Sequence, residues 1–553
     1  MSKENKFDES GQLSNGPIHP AKTYTMANNS PFYAAVPAPF KQYYERHVRQ
    51  WFQWFDGYVN WFHNTAKSPH IFSTKIANVV CNKLSKQITG GRLLFDDDGQ
   101  DLSQTQKYYN QELNALEFIE KYFKNNKLDA KLQTGEKYKL AGGDAVLKLN
   151  ANKKELIPIV VRKDNYFFDT DVFGNITAFS SLLYHQVKQV EKAGGKHDDH
   201  YYVLEERKYA DEKLSKKLGV RVGKPLFRFS IKKGDAHGVS YKTTNFHSAD
   251  YQFNDLTKGL RDELKAEFGN DITFNEWRPL PIKDMGVYLL KASESVSFNP
   301  SLPFGESILS NILHILQSYD YYYTLKNLDM TIAKGRVLLG KHLSSPKENN
   351  SGFGVLDKVE YDAIPYTNPE DLKPIPIQFE LRSGDWKETR DNLLQEMAME
   401  IGINPRSLAT FIVPSSEKPS AHEISTDEDE TALWIENQRE LDEPELNKMV
   451  ETILDYYGYE EYCTIKFSKK GLSNRNTALN QLAIMTQNGM VDQYTKLEMA
   501  HPDKNEKQIK KMLENINKEK QPTPQETQNG TVEENIENGF RNGESQIPKP
   551  DEE

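Results

Sequence analysis

Residues Pro303–Ala333 read PFGESILSNILHILQSYDYYYTLKNLDMTIA. Past the Pro-Phe-Gly opening, apolar residues recur at Ile308, Ile312, Ile315, Leu316, Tyr319, Tyr322, Tyr323 and Ile332. That spacing predicts a helix over 306–334 of about 28 residues, roughly 42 Å long. A second apolar face returns in DWKETRDNLLQEMAMEI (Asp385–Ile401), with Trp386, Leu393, Leu394, Met397 and Ile401 on one side and Gly402 and Pro405 as stops. Between the two, VLLG, VEYDAIPY and PIQFEL predict a small α/β insertion at about 336–383. Two helices that bracket an insertion make a stalk with a cap at its far end.

Working outward, residues 1–38 are polar, with Pro and Asn, and are expected to be a loose arm. YYERHVRQWFQWFDGYVNWF (Tyr43–Phe62) places Tyr44, Trp51, Phe52, Phe55, Tyr58, Val59 and Phe62 near helical spacing, as a docking helix. IFSTKIANVVCNKLSKQI continues as a second helix that Gly90 and Gly91 stop, and 106–131 is a third. From about 138 to 300 the pattern changes to the strand-like runs AVLKLN, LIPIVVR, YFFDTD, ITAFSSLLYHQV, YYVLEERKY and LFRFSIKK, which predict a mostly β wing.

Downstream of the stalk, FIVPSSEKPSAHE has two prolines and no helical period, so 404–424 is expected to be a loop. Ser425 and Glu428 fit a capping box for an acidic helix over 425–457. Pro444 lies inside that helix, where it removes a hydrogen bond and predicts a kink. A strand, YCTIKFSKK, and a helical region over about 472–520 complete the order.

The 553 residues are long for one core, their mean hydropathy is -0.73, and no run approaches the roughly 18 apolar residues of a membrane span. Nothing resembles a secretory leader. Cys81 and Cys463 supply neither a disulfide framework nor a zinc site. The net charge is -10, which argues against a surface that grips DNA broadly. Residues 521–553 contribute eight acids (Glu526, Glu533, Glu534, Glu537, Glu544, Asp551, Glu552, Glu553) against Arg541 and Lys549, in a composition typical of disorder.

Catalytic motifs fail on their own chemistry. GRVLLGKH (Gly335–His342) puts His342 where a P-loop needs a hydroxyl, and its interior is strand-like. His422-Glu423 lacks the second histidine of a zinc motif, because Thr426 holds its place. FDDDGQD (Phe95–Asp101) lacks both end carboxylates of a calcium loop. His197, Asp198, Asp199 and His200 read as polar hairpin-loop residues, with a metal pair as the other reading. No catalytic residue, cofactor or metal site is predicted.

The order of β-rich wing, long helix, small insertion, return helix, proline-bearing loop, acidic helix, strand and C-terminal helices resembles the portal proteins of tailed bacteriophages, in particular the siphovirus type of Gram-positive hosts. PFGESILSNILHILQSYD is similar to that family's P-[FY]-G-x-S and stem helix, and IGINPRSLATFIVPSSEKPSAHEISTDEDET to its helix end, tunnel loop and A-x-E-[IV]-x-x-E helix start. YKLAGGDAVLKLN looks like its wing strand, and FSKKGLSNRNTALNQLAIMTQNGMVDQYTKLEM like its crown entry. His422 departs from the Thr of many relatives.

The resemblance implies an α+β portal fold assembled as a dodecameric ring. Its parts are a wing over 39–300, stem helices at 301–335 and 384–403, a clip at 336–383, a tunnel loop at 404–424, a kinked wing helix and strand at 425–471, and a crown at 472–520. It implies double-stranded DNA passing through the channel, and as protein partners the terminase large subunit, tail adaptor or head-completion proteins, and major capsid and scaffolding proteins. The setting would be the virion vertex, with assembly in the host cytoplasm. Pro414, Ser415, Ser416, Glu417, Pro419 and Ser420 would form the tunnel loop, and Arg406 and Lys418 on it are the candidates for DNA contact. A metal-dependent nucleic-acid-processing enzyme and a protein-only capsid or tail-adaptor component are the alternatives.

Overall fold

The computed structural model describes residues 38–58, 71–96, 104–151, 155–268 and 273–340 with short internal gaps, then 362–366, 375–377, 383–405, 408, 421–467, 492–501 and 506–520. The arm at 1–37 and the tail at 521–553 lie outside the described residues. The chain mixes helix and sheet, an α+β composition.

The aromatic segment is core, as its spacing predicts. Ala38–Tyr43, a π turn over Tyr44–Val48 and Arg49–Asp56 form one helical run, α1, which buries Tyr44, Trp51, Phe52, Trp54 and Phe55. It ends earlier than expected because Gly57 takes φ +78, a left-handed cap. Helix α2, Ile76–Ile88, packs beside it.

The expected helix over 106–131 needs correction. Thr105–Tyr108 (β2) and Gln111–Asn114 (β3) form a hairpin, and helix α3 starts only at Ala115, running to Asn125. The reason is local: Asn114 accepts the Glu117 N–H at 2.8 Å while the Glu117 carboxylate takes the Asn114 N–H, a reciprocal cap. Helix α4, Leu128–Gly142, then occupies the first residues assigned to the wing, and the sheet begins at Asp144.

The strand-like runs are strands. β4 (Asp144–Ala151) lies between β12 (Val287–Lys291) and β5 (Leu156–Arg162). A larger sheet runs β10-β9-β8-β7-β6, with β11 paired to β9. Its strands are β6 (Tyr166–Thr170), β7 (Ile176–Lys192), β8 (Gly195–Tyr209), β9 (Pro225–Ala236), β10 (Thr244–Phe246) and β11 (Arg278–Pro279). His197 to His200 lie on β8, paired with β7 from Val190 to Val187, and not in the hairpin loop expected of them. Two helices escaped the sequence reading, α5 (Glu212–Leu218) and α6 (Lys258–Phe268).

The long helix α7 spans Leu309–Ile332, shorter than predicted, because Pro303–Ile308 is an anchor and not a first turn. Helix α8, Ser383–Ile401, returns antiparallel to it: the Tyr322 hydroxyl donates to the Trp386 carbonyl at 2.7 Å, and the Trp386 indole N–H to Asp329 at 2.8 Å. Between the helices lies a small sheet in the order β14 (Asp362–Tyr366), β13 (Arg336–Gly340), β15 (Ile375–Ile377). GRVLLG is therefore a strand, as its Val-Leu-Leu interior says.

Helix α9 spans Ala421–Tyr457 and passes through Pro444. It begins four residues before the expected start, so Ser425 and Glu428 are interior residues and no cap. Strand β16, Thr464–Phe467, pairs antiparallel with β1, Leu93–Asp96, and closes the chain's two halves on each other. Helices α10 (Gln493–Ala500) and α11 (Glu506–Lys520) follow, while 471–491, where the expected crown begins, lies outside the described residues.

The joint between stalk and body is a contact of two backbones. A Cβ added at Gly143, whose φ is +88, would lie 2.2 Å from the Gly305 carbonyl oxygen, and one added at Gly305 would lie 2.2 Å from that of Gly143. Gly143→Ala and Gly305→Ala are each expected to cost more than about 2 kcal/mol by strain and clash. Gly384→Ala, in open space at the start of α8, serves as the neutral control; denaturant unfolding of the three variants checks the ranking.

Candidate functional site

The stalk is seated by the motif that opens it. Phe304 is buried and stacks on Tyr43 with ring centroids 4.9 Å apart. The Gly305 N–H donates to Asp144 at 3.1 Å, and Tyr43 donates to the Gly305 carbonyl at 3.2 Å. Ser307 donates to the carbonyls of Leu140 and Ala141 (3.0 and 2.7 Å) and accepts the Leu309 N–H at 3.0 Å, which caps α7. Two of the four stretches that carry the resemblance, those containing PFGES and AGGDA, thus pack on each other.

Behind this contact sits a buried cation among rings. The Lys163 ammonium lies 2.6 Å from Asp144 and 3.7 Å from the Phe304 ring centroid, with Tyr43, Tyr44, Tyr166 and Phe168 around it. Burial pulls its pKa down to about 8 against the attraction of Asp144. Tyr166 also donates to Asp144. The group has no exposed face, so it can fix geometry and cannot meet a substrate.

A second buried cluster fastens α9. Glu136, Lys139 and Asp442 are all fully buried. Lys139 donates to Asp442 at 2.6 Å and stands 2.6 Å from Glu136, an ion contact without hydrogen-bond geometry. One cation faces two acids. Burial first, and the Glu136 charge second, push the Asp442 carboxyl well above the usual range, while the two acids raise Lys139 against its desolvation. Asp442 Oδ1 and both Glu136 oxygens find no hydrogen-bond donor among the described residues.

Further side chains of α9 grip backbone on three sides. Gln438 donates to the Ala292 carbonyl (3.0 Å), Arg439 to that of Ile88 (2.8 Å), and Glu443 and Asn447 accept from β16 at Phe467 and Ile465 (3.3 and 2.6 Å). Glu445, the residue after Pro444, accepts the Leu289 N–H at 3.3 Å. Pro444 therefore sits where the helix is held most closely.

The proposed DNA-contact residues are not brought into view: Arg406, Lys418 and the loop residues Pro414, Ser415, Ser416, Glu417, Pro419 and Ser420 lie outside the described residues. The feet of their loop are described. Gly402 ends α8 at φ +82, and the Asn404 N–H donates to Thr431 of α9 at 3.2 Å, which fixes the departing end of the segment to the third turn of α9. Leu408 is buried in the core with Ile403 and Ile435. Among the described residues no group of three or more His, Cys, Asp or Glu could hold a metal; the side chains of 197–200 lie outside them.

The stalk's outer surface divides along its length. Near the joint, Leu309, Ile312, Ile315, Leu316, Leu394, Met397 and Ile401 are buried in the chain's own core. This half of the stalk is covered by the chain's own residues. Farther out, Tyr321, Tyr323, Leu328 and Met330 are exposed; Tyr323 was expected on the buried side. On α8, Asp385, Glu388, Glu396 and Glu400 are exposed against Lys387.

No protein-family model matches the chain, and no curated protein matches it significantly.

The buried triad predicts a non-additive response. Glu136→Gln or Asp442→Asn leaves one carboxylate for Lys139 and is expected to cost little. The double variant strands a buried cation and is expected to lose about 3–5 kcal/mol. Because the folded pKa of Asp442 is raised, its contribution is present at low pH and lost as pH rises through the folded value. Asp442→Asn should therefore flatten the fall in stability that begins as pH rises above the ordinary carboxyl range, measured by denaturant unfolding across a series of pH values.

Proposed function

We propose that this chain is a ring-forming DNA conduit of the portal kind, standing at one capsid vertex. In this role a terminase motor drives the genome through it, adaptor proteins attach the tail to it, capsid and scaffolding proteins surround it, and the genome leaves by it.

One observation carries the reading: an antiparallel helix pair is rooted in the body at one end, bears a small sheet at the other, and exposes four large apolar side chains of α7 in its far half, besides Met399 of α8 near the root. Tyr321, Tyr323, Leu328 and Met330 on α7 give identical copies something to bury when they pack side by side, and head-to-tail contacts of that sort close into rings. The exposed acids of α8 suit a bore. Each phosphate contact adds affinity and salt dependence, so a duplex that must slide is better guided by repulsion than held. The motif order and the loop rooted between Gly402 and Thr431 agree with the same reading.

Negative-stain images of purified protein should show rings with a central hole. Tyr323→Arg with Leu328→Arg should yield a folded but monomeric chain by light scattering. A wild-type chain that stays monomeric at high concentration overturns the proposal. Arg406→Glu with Lys418→Glu should leave rings intact and reduce the DNA packaged per particle.

A further inference from the structure

At one end of the large sheet, three features from separate connections meet. The register sets Ala178 opposite Lys208 and Tyr209 opposite Pro225, and Arg278 pairs with Phe227. The β6–β7 turn, the β8–β9 connection and the start of β11 therefore share one edge, with the two hairpin centres about 10 Å apart at the usual strand spacing.

The β6–β7 turn holds Val172 and Phe173 in solvent at 93% and 86% exposure. Their display is rigid: the Asp171 carboxylate accepts the N–H groups of Phe173 and Asn175, both at 2.9 Å, and the Asn175 amide at 3.0 Å.

The β8–β9 connection contains α5, which buries no residue at all. Asp211 caps it, accepting the Leu214 N–H at 2.8 Å, and Lys213, Lys216 and Lys217 fall on one face at spacings of three and four. Like charges so spaced disfavour a helix, and Glu212, four residues before Lys216, offsets only one of the three, so packing does not account for them and local pairing does so in part. Arg221 and Val222 follow, both exposed. Among the described residues no ion pair forms with these four cations; of the nearby acids, Asp211 serves the cap and lies 3.7 Å from Lys208, Glu206 pairs with Arg228, and Glu212 is the one exposed acid on α5 itself. Lys208 and Arg228 both lie over the Trp277 ring, at 5.0 and 4.8 Å. From Lys208 to Lys233, nine Lys and Arg face two acids, a net +7 inside a chain of net charge -10.

We propose that this end of the sheet is a docking surface for the chain's own acidic C-terminal segment, residues 521–553. That segment carries eight acids against two bases, interleaved with Val532, Ile536, Phe540 and Ile547. Acid together with apolar residues matches cations beside Val172, Phe173 and Val222. A DNA duplex would satisfy the cations but leave the apolar turn in water, so the peptide fits better. The last described helix ends at Lys520, and the 33 residues beyond it can extend to about 110 Å. The proposal does not depend on ring assembly.

Carbodiimide cross-linking of the full chain, mapped by peptide mass spectrometry, tests it. Amide links are expected from Lys213, Lys216 and Lys217 to Glu533, Glu534, Glu537 or Glu544 at about 0.05 M salt, falling roughly tenfold near 1 M as screening shortens to a few ångströms. Val172→Ser with Phe173→Ser should reduce them several-fold with the cations intact. Reversing Lys213, Lys216, Lys217 and Arg221 to Glu should abolish them, and adding Glu533→Lys, Glu534→Lys, Glu537→Lys and Glu544→Lys should restore them with the charges exchanged. Because α5 contributes nothing to the core, these variants keep the fold, which unfolding curves verify. Tail links spread evenly over lysines elsewhere, such as Lys83 and Lys258, overturn the proposal. So does patch-dependent binding of a labelled DNA duplex with no tail link.

Discussion

Everything in the stalk hangs on the place where Gly143 and Gly305 bring two backbones together without side chains between them. That approach lets the Asp144 carboxylate reach the Gly305 N–H, the Lys163 ammonium and the Tyr166 hydroxyl at once. A buried carboxylate is tolerable only when such partners surround it. The three partners come from the stalk anchor, the turn before β6 and β6 itself, so one satisfied charge fixes three directions of chain. A helix of 24 residues rooted at its end acts as a lever, and an error of angle at the root grows along its length. The aromatic packing of Phe304 against Tyr43 then fills what the glycines leave open.

The same logic recurs at α9. A 37-residue helix with an acid-rich opening has little intrinsic reason to lie against a sheet. It does so through polar side chains that reach backbone groups on α2, β12 and β16, and through Asp442, which shares Lys139 with Glu136. These contacts specify position more than they add stability, since a buried ion cluster recovers little beyond its desolvation cost. The ends of the loop between α8 and α9 inherit that position through Asn404 and Thr431.

Periodicity made most of the elements legible. The alternating runs from AVLKLN to LFRFSIKK, the two stalk helices and the strand in GRVLLG all stand where the pattern puts them. Errors arose where a local signal competed with a regional one. Gln111–Asn114 reads as helix by its regional pattern although Asn114 and Glu117 spell a cap, and Ser425 with Glu428 matches a capping box although the helix begins upstream of it. The buried triad was illegible for a different reason. Glu136 and Lys139 look like an ordinary surface pair three residues apart, and only the tertiary approach of Asp442, more than 300 residues away, turns them inward. A hint was available: Asp442 lies in register with the apolar positions of Met449 and Ile435, where a lone acid is out of place.

Charge is distributed in this chain, not merely counted. Acids line the exposed side of α8 and fill the C-terminal segment, while one sheet end concentrates cations well in excess of the acids beside them. For a conduit these facts pull in opposite directions, because a bore gains from repelling phosphate and a bare basic surface would capture it. A covalently attached acidic segment resolves the conflict at high effective concentration, since tethering makes its encounter with the cations intramolecular. The apolar residues at both partners matter for the same reason: at physiological ionic strength exposed charges alone are screened within about 8 Å, and burial of Phe173 is what screening leaves untouched.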